Sequence, residues 1–98
     1  MVMTILEANV APQNWAALLQ AYQAGAGQLP PQLSQTMLVQ SSADKSIWRI
    51  ISIWRSREGL EEMRRTTATP AGVLMFRAAG AEPTLSIYDI ASSMASGS

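Results

Sequence analysis

Cysteine is missing from this chain, and so is histidine. The first absence excludes a disulfide framework, thiolate catalysis and cysteine-ligated metals. The second removes Ser-His triads, the commonest general base, and nearly all transition-metal and haem ligation. An excess of charge is lacking too. Six Arg and one Lys are interleaved with seven acids, for a formal net charge of zero. With no basic patch evident, no nucleic-acid partner is expected. No apolar run approaches the ~18 residues that mark a membrane span, so no membrane partner is expected either. The N-terminal MVMTILEANV has no basic stretch before its apolar run and carries Glu7 within it, unlike a signal peptide. A cytoplasmic protein is the expectation.

What is present is a single short domain of 98 residues, at the smaller end of the usual range. Such a chain buries somewhat over ~60% of its unfolded surface, enough for one core. The stretch Ile47 to Arg65, IWRIISIWRSREGLEEMRR, organises the rest. Its first half is β-branched and aromatic, the composition of a strand. In its second half Ser56 suits a helix N-cap, and Leu60, Met63, Arg64 and Thr67 recur at helical spacing. A strand therefore runs into a helix through a turn of one or two residues. One strand face carries Ile47, Arg49, Ile51 and Ile53, and the other Trp48, Ile50, Ser52 and Trp54. Both faces are mostly apolar and both need cover.

Along the chain, Val2 to Val10 reads as strand 1. Pro12 suits the first turn of a helix, whose apolar stripe is Trp15, Leu18, Leu19 and Tyr22 and which Gly25 and Gly27 stop. No charged residue occurs between Ala8 and Ala43, so the helix shows water, or a neighbouring subunit, only a weakly polar face. Pro30 and Pro31 force an extended lead into strand 2, about Leu33 to Gln40. Ser41 to Ser46 is a polar turn before strand 3. Helix 2 runs from about Arg57 to Thr67, with Arg57, Glu61 and Arg65 spaced for surface ion pairs. Pro70 to Ala79 reads as a third helical segment that Gly80 ends, and Thr84 to Ile90 as strand 4. The order β-α-β-β-α-β is the split-βαβ pattern of a ferredoxin-like α+β fold, a four-stranded antiparallel sheet with helices on one side. The other side is left bare, a larger apolar patch than soluble monomers tolerate. Two-fold pairing of sheet on sheet is the simplest remedy, and a homodimer is predicted.

Trp54-x-Ser56, then Leu60-Glu61 in an amphipathic helix, a Pro-containing segment and a final strand resemble the antibiotic biosynthesis monooxygenase (ABM) family of dimeric α+β barrels. Pro31-x-Leu33 leading into strand 2 fits as well. The similarity spans roughly residues 2 to 91. It implies one ABM-like domain over residues 1–92, and the small, polar composition of the tail at 93–98 reads as disordered. It also implies a homodimer with a pocket between the sheet and helices of each subunit. Some members oxygenate aromatic polyketide-like or quinol substrates with O2 and neither metal nor flavin. Others degrade haem. Many members carry a His where Met63 stands here, and another where Ala68 stands. The haem-degrading branch uses an Asn, a Trp and an axial His; the first two positions hold Ala8 and Glu62, and there is no His. Asn9, one residue off, belongs to the opposite strand face.

A monooxygenase-like protein without a cofactor is thus the first functional expectation, acting on a small aromatic, polyketide-like or quinol substrate. A non-catalytic dimeric barrel that binds a small hydrophobic ligand, or serves a structural role, is the second. Cofactor-free oxygenation needs a substrate that reacts with O2 once deprotonated, in a pocket that holds the anion and excludes water. Asn9, Arg49, Arg77 and Tyr88 are its polar candidates, and Trp54, Met63, Leu74 and Phe76 its apolar walls. Each has a plainer role. Trp54, Met63 and Phe76 read equally as core, Tyr88 as a packed ring with a wet hydroxyl, and Arg49 and Arg77 as partners of an acid at the surface or dimer rim. A buried polar group beside apolar walls separates the two expectations from a sealed interior.

Overall fold

Alternating β-branched residues and two helical stripes produce eight short elements in the computed structural model, which describes residues 1–25 and 27–96. Strand β1 (Val2–Asn9) leads through a 3-10 turn (Pro12–Asn14) into helix α1 (Trp15–Gly25). Strands β2 (Leu33–Gln40) and β3 (Ile47–Trp54) form a hairpin. Helices α2 (Arg57–Thr66) and α3 (Ala71–Ala78) precede β4 (Thr84–Asp89). The four strands make one antiparallel sheet in the order β2-β3-β1-β4. Among the described residues no helix is long and apolar enough to cross a membrane. Residues 91–96 carry no regular secondary structure. The tail expected at 93–98 extends into Gly97 and Ser98, which lie outside the described residues, as does Ala26 in the stop after α1.

Register decides which side chains share a face. Trp54, Ser52, Ile50 and Trp48 oppose Val2, Thr4, Leu6 and Ala8 of β1, and this is the face the helices cover. Two apolar clusters lie beneath them. One joins Ala8, Val10, Trp48 and Ile50 to Leu18 and Phe76 from the helices. The other joins Val2, Trp54 and Leu60, with Leu33, Met63 and Ile87 against it. Phe76, Leu18 and Val10 are the largest fully buried side chains, each worth ~1.5–3 kcal/mol on removal from water. Trp15 packs edge-on against Trp48 with ring centroids 5.9 Å apart and donates its indole N–H to the Val10 carbonyl at 2.8 Å. A β-bulge in β2 lets Leu33 oppose Trp54 and Gln35 oppose Ile53, so Ser34 has no partner.

Helix α2 begins as its sequence dictates. Ser56 Oγ accepts the Gly59 N–H at 3.0 Å, Glu58 sits in the first turn, and Arg64 and Arg65 sit in the last. Gly80 ends α3 at φ +73°, a conformation costly for any residue with a Cβ.

Two local expectations change. Leu19 is 42% exposed while Leu18 is fully buried. The residues are about 100° apart around the helix, and the buried stripe is narrow enough to admit only one of them. On α2, Arg57 pairs with Asp89 of β4 rather than with Glu61. The strand end offers a carboxylate across the fold, and a long guanidinium reaches it in preference to its helical neighbour. No ion pair joins Glu61 to Arg65 among the described residues.

Among the described residues the second sheet face has no helix on it. Met3, Ile5, Met37, Ile51 and Ile53 lie there half-buried against one another, with the Glu7–Arg49 ion pair beside them.

Candidate functional site

Between the two apolar clusters, the helix-facing side of the sheet turns polar. Thr36 of β2, Ser52 of β3 and Thr4 of β1 are direct register partners in a row across three strands. Ile87 of β4 completes the row. Three short hydroxyl side chains fill less space than the residues above and below them, and the core divides at this level. A cavity of about 580 Å³ opens there, a size suited to a small organic ligand.

Its floor is the hydroxyl row with Trp54, Leu6 and Ile50. Leu60, Met63 and Arg64 of α2 form one wall, and Gly72, Val73 and Met75 of α3 another. Tyr22 and the segment Gln28 to Pro30 close the end of α1. Leu29 and Leu85, 50% and 46% exposed, stand at the mouth. Close approach at α3 depends on Gly72: a Cβ there would lie 2.7 Å from Leu6 Cδ1.

Two hydrogen bonds organise the floor. Trp54 Nε1 donates to Thr4 Oγ1 at 3.0 Å, in a buried setting. Thr36 Oγ1 and Ser52 Oγ lie 3.2 Å apart, and either can donate. The charged lining residues are Arg64, Arg77 and Glu82, all away from the sheet. Arg77 grips Glu82 with two hydrogen bonds, Nε to Oε2 at 3.0 Å and Nη2 to Oε1 at 2.8 Å. The Arg77 hydrogen bond holds the Glu82 carboxyl below the usual glutamate range, and the same bond raises the guanidinium. Among the described residues no group of three or more Asp or Glu is placed to hold a metal ion.

Of the residues singled out in the sequence, Trp54, Met63 and Arg77 line this cavity together. The other five stand elsewhere. Phe76 is wholly inside the core, while Leu74, on the outer side of the same helix, is 53% exposed. Asn9, Arg49 and Tyr88 belong to the uncovered sheet face, because strand alternation puts Asn9 and Arg49 in step with Ile5 and Ile51, and Tyr88 opposite Met3. There Asn9 accepts the Ser46 hydroxyl at 3.2 Å, Arg49 binds Glu7, and Tyr88 opposite Met3 is 51% exposed. Trp54 lines the cavity and Tyr88 does not, since register puts them on opposite faces of the sheet.

Thr4, Thr36 and Ser52 escaped the sequence reading. Their signal was a hydroxyl interrupting the apolar face of three separate strands, and only the register brings the three to one level.

A four-stranded antiparallel sheet with helices on one side and a ligand-sized cavity beneath them defines a ferredoxin-like α+β protein. The fold is that of the antibiotic biosynthesis monooxygenases. A candidate monooxygenase of this kind from Deinococcus radiodurans superposes with a TM-score of 0.73 at 12% identity, over 100% of both chains. One from Nitrosomonas europaea gives 0.72 at 16% identity, over 94% of this chain and 100% of that one. A mutant of SnoaB, a cofactor-independent oxygenase from Streptomyces nogalater, gives 0.71 at 13% identity, over 95% of each chain. At the level of sequence alone, no family model and no curated protein matches.

Proposed function

We propose that the chain is a homodimeric, cofactor-independent monooxygenase-like protein whose cavity takes a small aromatic, polyketide-like or quinol substrate. One observation carries the reading: a buried polar group, Thr4 with Trp54, stands beside apolar walls in a ligand-sized space. A sealed, side-chain-filled interior would have left no place for chemistry. The likeness in fold to a cofactor-independent oxygenase supports the same reading.

The chemistry needs little from the protein beyond confinement. A substrate that loses a ring proton gives an anion that reduces O2, and the balance needs no external reductant: a ring CH2 and O2 become a ring C=O and H2O. Apolar walls exclude bulk water and floor hydroxyls steady the oxyanion. Oxygen consumption by the full chain with a panel of hydroquinones and anthrones tests the proposal. Uptake above the protein-free rate is expected; no uptake across the panel overturns it.

The non-catalytic reading draws on one specific observation. Among the described lining residues the single carboxylate, Glu82, is held by Arg77, so no free general base faces the cavity. Binding of the panel without oxygen uptake is the outcome of that reading.

Dimerisation is proposed from the uncovered sheet face. Five half-buried Met and Ile side chains in register make one apolar surface, and a second copy covers it without demanding a new complementary shape.

A further inference from the structure

Given the reading that the cavity is the ligand site, we propose that Thr4 and Ser52 jointly receive one hydrogen-bond-accepting oxygen of the ligand. A ring ketone, a quinone carbonyl or a phenolate has the required chemistry. Trp54 and Thr36 act as positioning residues that set the direction of the two hydroxyl protons.

An indole N–H only donates. Thr4 Oγ1 therefore accepts from Trp54, and the Thr4 proton is left to point elsewhere. Among the described residues nothing accepts it, although Thr4 is only 8% exposed and lines the cavity. A buried donor without a partner is costly, and a ligand acceptor removes that cost. On the neighbouring strand, Ser52 is bonded to Thr36. When Thr36 donates, the Ser52 proton is also free for the cavity.

Thr4 and Ser52 are direct cross-strand partners, and adjacent strands lie ~4.8 Å apart. An oxygen seated between the two hydroxyls is within hydrogen-bonding reach of both. Two short chains then converge on it, Trp54 to Thr4 from one side and Thr36 to Ser52 from the other. Each link polarises the next. Among the described residues no charged side chain reaches the floor from the sheet, so the arrangement selects an oxygen acceptor by donor geometry rather than by net charge. A bare hydrocarbon leaves the Thr4 proton unpaired, and an ammonium group, which only donates, meets a proton already pointing at it.

Isothermal titration of the full chain with naphthalene and 1,4-naphthoquinone tests this directly. The expected result is a quinone preference of about tenfold, the value of one to two good neutral hydrogen bonds. Thr4→Val abolishes that preference, while Thr4→Ser retains it. Ser52→Ala, which strands no buried N–H, reduces the preference and serves where Thr4→Val folds poorly by circular dichroism. Equal affinity for the two probes, or a preference that survives both Thr4→Val and Ser52→Ala, overturns the assignment and leaves the cavity as an apolar ligand site. Binding of neither probe removes the cavity reading itself, and this assignment with it.

Discussion

Trp54 gives its indole proton to the hydroxyl of Thr4 across 3.0 Å, tying β3 to β1 between residues 50 apart in the sequence. Removing the acceptor leaves a buried N–H unpaired, whereas shortening it does not. Thr4→Val is expected to cost ~1–3 kcal/mol and Thr4→Ser distinctly less. Chemical denaturation midpoints of the two variants check the order. Equal midpoints would show that the indole finds another acceptor.

Two positions on α3, separated by one residue, have opposite roles. Phe76 is fully buried and Leu74 is 53% exposed. Phe76→Ala is expected to destabilise the fold by ~3–5 kcal/mol through the cavity it leaves. Leu74→Ala is expected to stay within ~0.5 kcal/mol of the parent. Thermal unfolding of both variants reads the contrast.

The uncovered sheet face carries Ile51 between Ile5 of β1 and Met37 of β2. If two copies meet there, a buried carboxylate at its centre is prohibitive. The parent chain is expected to sediment at twice its 10.6 kDa mass at micromolar concentration. Ile51→Glu is expected to sediment as the single chain with its circular dichroism unchanged. A parent that already sediments at 10.6 kDa rules the pairing out.

The Arg77–Glu82 pair at the cavity predicts a pH effect of known sign. Its hydrogen bond lowers the Glu82 carboxyl in the folded protein. The stabilisation is therefore complete above the ordinary glutamate range, about 4.3, and is lost as pH falls through the lowered folded value. Glu82→Gln should differ from the parent in stability near neutral pH, and the two curves should merge in acid. The effect is small because both groups are exposed and screened by solvent. Curves that diverge on acidification would reverse the assigned sign.

Much of the architecture is legible before any coordinates. The strand-to-helix passage at Arg55–Ser56, the cap at Ser56, the stop at Gly80 and the bounds of β2 follow from local chemistry. Each depends on a few neighbouring residues, and so does the uncovered sheet face, which follows from strand period and a shortage of helix. The candidate site is less legible. Asn9, Arg49 and Tyr88 are polar or aromatic residues of the expected strands, but strand parity places them opposite the cavity. Phe76 and Leu74 differ only in the direction each takes from α3.

Sequence alone determined the order of elements, the α+β class and the absence of thiol and imidazole chemistry, because period, capping and composition act within a few residues. Tertiary structure decided that Thr4, Thr36 and Ser52 stand in one row and that Trp54 bonds to the first of them. It also decided that this row and the walls of α2 and α3 enclose one cavity. Those relations depend on strand register, the bulge in β2 and the seating of the helices, which couple residues far apart in the chain.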